Sequence, residues 1–366
     1  MRRFFLVLAM IFGGGLVAQS PPGNGGIQVT PLSQSWSIDY GGRETNLWEV
    51  STGVRMRYFP HRNLSLSLRG ALGATGGDPR EIRGPGDLQL DVTWHARSRH
   101  LVMGVGINLP SGKKALLPEE FQTSVLLSNT VFRFQVPNFG QGVQVSPHLT
   151  WATPLSENVV FGMGAAFKFS GPYRPRSTDS LDYDPGEELL LTAGFDLRLG
   201  PAAYLSGDAI VNFYTTDRLG DRDLLSPGPK LTAFLQYRQH FGFHELWLLA
   251  RYRSRSRNEW IPTSEEFRAL PNYGEVVGRF RARLHPMLSV GFLGEARFYG
   301  PVDPNMRGTL IGDLSEGSLF GIGLLPQISL TRRIALPLRV KYLKGNFRND
   351  LSLTGWEAGI GLAVQY

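Results

Sequence analysis

The chain ends on GWEAGIGLAVQY, Gly355 to Tyr366. Trp356, Ala358, Ile360, Leu362, Val364 and Tyr366 share one parity; Glu357, Gly359, Gly361, Ala363 and Gln365 share the other. A period of two means an extended strand with two unlike faces. The ends of soluble domains tend to fray into water. A terminal strand this strictly two-faced asks for oil on one side and water on the other.

The pattern recurs along the chain. Trp48, Val50, Thr52, Val54, Met56 and Tyr58 alternate with Glu49, Ser51, Gly53, Arg55 and Arg57. Leu88, Leu90, Val92 and Trp94 alternate with Gln89, Asp91, Thr93 and His95. LSLSLRGALG, VVFGMGAAFKF, ELLLTAGFDLRLG, KLTAFLQYRQ, GEVVGRFRARL and IALPLRVKYL read the same way. Soluble sandwiches also alternate, and three features separate this chain from them. Its strands run to roughly 10–13 residues, beyond the usual length in globular sheets and enough to cross a bilayer at a tilt. Full charges sit mid-strand on the polar parity, at Arg55, Asp196, Arg198, Arg281 and Arg339. Aromatic residues gather near strand ends, at Trp48, Tyr58, Trp151, Phe169, Tyr252, Tyr299, Trp356 and Tyr366, as in an interfacial girdle. Bilayer oil cannot satisfy an open sheet edge, so such strands must close into a barrel.

Composition agrees. Of 366 residues, 42% are hydrophobic and 19% charged, too apolar for disorder and too polar for a bundle of membrane helices. With Cys at 0, thiolate chemistry, Cys-bound zinc and disulfides are excluded. The first 20 residues, MRRFFLVLAMIFGGGLVAQS, have the basic start, apolar middle and small-residue exit of a secretory signal peptide, so the mature domain is expected over 21–366. Export and the lack of a basic block interleaved with aromatics argue against nucleic acid as a partner, despite a net charge of +7.

Connections alternate in length. Short turns fall at 60–63, 98–100, 155–158, 199–202, 240–243, 285–287 and 331–333; longer links fall at 76–86, 110–141, 171–186, 215–228, 255–273, 301–317 and 345–353. The expected fold is therefore all-β: a transmembrane antiparallel up-and-down β-barrel with short periplasmic turns and longer extracellular loops. The count is about 16 strands, with about 14 as the alternative if residues 21–45 form a small plug instead of a first strand interrupted by Pro31 and one other segment also fails to form a strand. In the long insert, Pro118, Glu119 and Glu120 stand where a helix start wants them. Phe121, Val125 and Phe132 lie roughly along one face, although TVFRFQV alternates and could form a short strand. The reading adopted is an extracellular helical insert at or over the mouth.

GPGDLQLDVTWHA (84–96), followed by LVMGVGINLPSGKK (101–114), resembles a hairpin of outer-membrane barrels grouped with the fatty-acid and aromatic-hydrocarbon channels, including putative phenol-degradation meta-pathway transporters. The resemblance covers about 30 residues and the general pattern. It implies passive uptake of small hydrophobic or amphipathic molecules across the cell outer membrane. It also implies recognition of the strand ending at Tyr366 by the barrel-insertion machinery. An Asn-Pro-Ala-type plug motif, which the fatty-acid channels carry, is not found after the leader.

On the inward parity, Arg251 and Arg253, then Arg279, Arg281 and Arg283, then Arg297 come from three successive strands and should form one basic patch. Guanidinium groups bind carboxylates through paired hydrogen bonds, and basic rings select anions. The competing reading is a salt-bridge ladder with Glu245, Glu275 and Glu295 that stiffens the wall. Asp179, Asp182, Asp184 and Glu187 match no calcium-loop spacing and read as a solvated turn. His244 with Ser254 or Ser256 could suggest a lipid hydrolase, but strand geometry puts them at opposite membrane faces, so no catalytic residue, cofactor or metal is expected. The alternative to a channel is a non-conducting barrel serving adhesion or envelope structure.

Overall fold

The computed structural model describes residues 25–96, 100–113, 115–136, 139–140, 142–303 and 310–366. The proposed signal peptide lies outside them. Sixteen antiparallel strands close into a barrel. In chain order they are β1 (Gly25–Tyr40), β2 (Arg43–His61), β3 (Leu64–Gly77), β4 (Leu88–His95), β5 (Leu101–Leu109), β6 (Gln144–Pro154), β7 (Val159–Ser170) and β8 (Glu188–Arg198). The second half is β9 (Ala203–Tyr214), β10 (Lys230–Phe241), β11 (His244–Arg255), β12 (Tyr273–His285), β13 (Leu288–Tyr299), β14 (Gly317–Ser329), β15 (Ile334–Asn346) and β16 (Ser352–Ile360, resumed at Leu362–Gln365). A short piece, Ile82–Pro85, pairs with β3 ahead of β4.

Residues 25–40 thus make a first strand, and the runner-up count of 14 falls away. Gly25 and Tyr366 exchange backbone hydrogen bonds of 3.1 Å, which seals the periplasmic end of the closure. Pro31 is accommodated because the ladder is broken beside it. β1 pairs with β16 up to Leu32–Gly359 and resumes at Val29–Leu362. On the other side of the break the Gly361 amide donates to the Pro337 carbonyl at 2.7 Å. Proline cannot donate to a ladder, and two prolines flanking one glycine leave the final strand in two pieces. The first extracellular link is not long but a two-residue turn. Gly41 and Gly42 take φ of 60° and 75°, the conformation that glycine supplies to tight hairpins.

The apolar parity faces outward. Val50, Leu72, Phe292, Ile322 and Trp356 are each more than half exposed in the bare chain. An apolar belt of this size has hydrocarbon as its natural solvent. Tyr299 departs from the expected girdle: its parity is that of Arg297, so it points inward, is 5% exposed, and packs on Tyr273 and Phe347.

The inside is not uniformly wet. The insert between β5 and β6 forms a helix, α1 (Pro118–Leu127), and then turns down into the barrel. Val131, Phe132, Phe134 and Val136 are buried there against Trp36, Ile38, Leu47, Leu319, Leu343 and Leu353 of the wall. The insert expected at the mouth is therefore partly a plug, and TVFRFQV forms no strand. The reason is apolar matching. At the extracellular ends of β1, β2 and β14–β16 the inward parity is itself apolar, and burying each such side chain contributes about 1.5–3 kcal/mol as an upper bound. The buried face of α1 is Glu120, Thr123 and Leu127, not Phe121 and Val125.

Above the mouth, Tyr183–Asp184, Asp217–Leu219, Arg222–Ser226, Asn258–Trp260 and Glu265–Phe267 form a second, small sheet from three loops. Asp217 anchors it, accepting from the Tyr183 hydroxyl at 2.6 Å and the Gly186 amide at 2.8 Å. Burial, reinforced by that carboxylate, raises the Tyr183 phenol pKa. The acidic loop beside it is occupied by arginine: Arg174 pairs with Asp182 at 2.6 Å and Arg176 with Asp179 at 2.7 Å.

Candidate functional site

The lumen is the candidate site, and the plug divides it. Four barrel residues hold the plug. Glu49 accepts the Gln135 and Val136 amides at 2.9 and 3.1 Å. Glu275 pairs with Arg133, whose backbone sits at φ 53° in the left-handed region. Arg297 donates to the Val131 carbonyl at 2.8 Å. Trp36 meets Phe132 edge-on, ring centroids 5.3 Å apart.

Glu275 also belongs to a belt of alternating charge along the wall. Glu275 pairs with Arg251 and lies 3.7 Å from Arg297. Arg297 reaches Glu295 at 2.8 Å, and Lys341 stands 3.2 Å from Glu295 and 3.6 Å from Glu357. Glu357 also pairs with Arg339 and accepts from Gln34 at 3.2 Å, which carries the belt across the closure onto β1. Lys341 on β15 can meet Glu295 on β13 because Gly321 and Gly323 leave β14 bare between them. A Cβ on Gly321 would come within 2.7 Å of the Glu295 Cγ.

The six arginines expected to form one patch are thus distributed. Arg251 and Arg297 join the belt through Glu275. Arg279 and Arg281 approach Glu245 at 3.6 and 3.8 Å, together with Arg238 at 3.2 Å. Arg283 lies at the periplasmic rim, donating to the Pro286 carbonyl at 3.3 Å. Arg253 stands over the Tyr273 ring, 4.4 Å from its centroid. Positions two apart on a strand are separated by roughly 7 Å along it, so one strand's arginines reach different levels of the lumen. Glu49, Lys341, Glu357 and the plug aromatics went unselected as site residues. The signal was there, since each charged one sits on the inward parity of its strand.

Opposite the plug the wall is open to water. His148, Thr150, Lys168, Thr192, Asp196, Asp208, Gln236 and Trp247 take the inward parity and keep partial solvent exposure. His244 begins β11 against Phe241, whereas Ser254 pairs with Leu231 at the strand's far end. No dyad forms between them.

No protein-family model matches the chain, and no curated protein matches it. Solved structures do. OprB of Pseudomonas putida is similar at a TM-score of 0.50 and 9% identity over 94% of each chain. CdiB of Acinetobacter baumannii is similar at 0.53 and 13% identity, over 92% of this chain and 60% of that one. TodX, a monoaromatic hydrocarbon channel, is similar in a deletion mutant at 0.49 and 10% identity, over 94% and 91%. The fold is that of an outer-membrane β-barrel. At these identities the likeness speaks to architecture and not to cargo.

Proposed function

We propose that this protein is an outer-membrane channel through which small hydrophobic or amphipathic molecules pass without energy coupling. One observation carries the reading: the plug packs on β12–β16 and β1–β3, while most inward residues of β6–β11, apart from the buried Val160, Ile210, Asn212 and Thr232, remain in contact with water. A barrel serving only as a wall has no need of one dry sector and one wet one. Within the wet sector Leu190, Phe234 and Leu249 face inward among polar neighbours and stay partly exposed, giving a solute's apolar part a surface to follow. The strand ending at Tyr366 is proposed as the segment that the insertion machinery reads.

Purified protein in planar bilayers and in liposomes tests this. Discrete conductance steps, with uptake of a labelled amphipath faster than in protein-free vesicles, are expected. Neither steps nor uptake would return the molecule to a structural barrel.

A further inference from the structure

The cations of the belt and of the Glu245 cluster are neutralised by carboxylates; most of those in one row of the wet sector are not. Along the extracellular end of the wet sector, Lys168 lies opposite Glu188 and Glu188 opposite Tyr214. Lys230 lies opposite Asn212 on one side and Arg255 on the other, and Arg253 lies opposite Tyr273. Four cations from β7, β10 and β11 therefore share one arc of wall, about 19 Å wide at roughly 4.8 Å per strand. The one carboxylate that the described residues place in this arc, Glu188, is already taken by Lys168 at 2.6 Å and by Asn212. Among the described residues no carboxylate lies within ion-pair distance of Lys230, Arg253 or Arg255. By contrast Arg251, two residues along the same strand, pairs with Glu275.

Like charges placed directly opposite in a sheet destabilise it, and Lys230 facing Arg255 is such a pair. Both guanidinium groups are also oriented: that of Arg255 stands 5.2 Å from the Tyr214 centroid and that of Arg253 stands 4.4 Å from the Tyr273 centroid. Stacking on a ring face leaves the planar fork free for a ligand. Toward the periplasm from this row, on the same strands, come the inward Leu190 and Phe234. We infer that Lys168, Lys230, Arg253 and Arg255 form a binding row for the oxyanion end of an amphipathic solute, its apolar body lying on Leu190 and Phe234. This assignment rests on the channel reading for its cargo, though the binding step can be measured apart from conduction.

Titration of the detergent-solubilised full-length barrel with hexanoate, hexyl phosphate and hexanol tests it, alongside current block by the same probes in bilayers. Hexanoate and hexyl phosphate should bind and hexanol should not compete. The double variant Lys230→Gln/Arg255→Gln should lose about tenfold or more in hexanoate affinity, the effect of removing charge-assisted bonds. Arg281→Gln, in the Glu245 cluster, should bind as the parent does. Heat-modifiable gel mobility confirms that each variant is folded. Equal hexanoate affinity in parent and double variant, or equal binding of hexanoate and hexanol, would overturn the assignment. Charge-dependent binding without conductance keeps the site and removes the channel; conductance without such binding does the reverse.

Discussion

Glu275 is the residue on which the most depends. It is nearly inaccessible and faces Arg133 of the plug, Arg251 of β11 and Arg297 of β13 at once. Removing one partner of a buried ion pair leaves charge uncompensated and costs about 3–5 kcal/mol. Glu275→Gln keeps the volume and removes the charge, so its expected effect is a loss of that order in urea unfolding from detergent, with noisier single-channel current as Arg133 is released. An unchanged unfolding midpoint would show that the belt is ornamental. Gly321→Val tests the same belt from its empty side. The added carbons meet Glu295, which must swing off Lys341, and overpacking of this kind costs about 1–3 kcal/mol. At this scale the sequence was only half legible. Parity told which charged residues point inward, but not how high each one stands. Stagger between strands decides that Arg279 meets Glu245 while Arg251 meets Glu275.

Among the elements, the strands were legible because bilayer and lumen impose a period of two on every one of them. The insert was not, because no such rule governs it. Its helix could be read from Pro118, Glu119 and Glu120, but its destination could not: Phe132 and Phe134 carry no mark distinguishing a lid from a plug. The helix start offers a pH test. Burial works to raise the Glu120 carboxyl, but Lys113 at 2.5 Å and the Leu117 amide at 3.0 Å outweigh it, and the pKa is lowered. A depressed carboxylate stabilises the docked helix fully above its ordinary value and loses that contribution as pH falls through the lowered one. Conductance should therefore hold steady from neutral pH to about pH 5 and increase below about pH 4. Glu120→Gln should abolish the acid dependence and show the higher conductance throughout. Acid-induced opening that persists in Glu120→Gln would assign the effect to other carboxylates.

For the molecule as a whole, the question is whether plug and barrel are one cooperative structure or a cylinder with a removable filling. The hydrogen-bonded ladder runs unbroken by the plug, from Gly25 beside Tyr366 around every strand, and the outward belt owes nothing to the insert. The interior has a different dependence. Trp36, Ile38 and Leu47 would face water without Phe132 and Phe134, and Glu49 would lose both amides it accepts. Replacing residues 117–136 by a short Gly/Ser linker should therefore leave insertion and heat-modifiable mobility intact while raising conductance severalfold, since the dry sector becomes water. Unfolding should require less urea than in the parent, because several buried apolar side chains at about 1.5–3 kcal/mol each are exposed. If the deleted protein failed to insert, the plug would be part of the folding nucleus and the barrel could not be treated as an independent frame. If it inserted with parental conductance, solute would already travel only along β6–β11, and the plug would serve to brace the opposite wall.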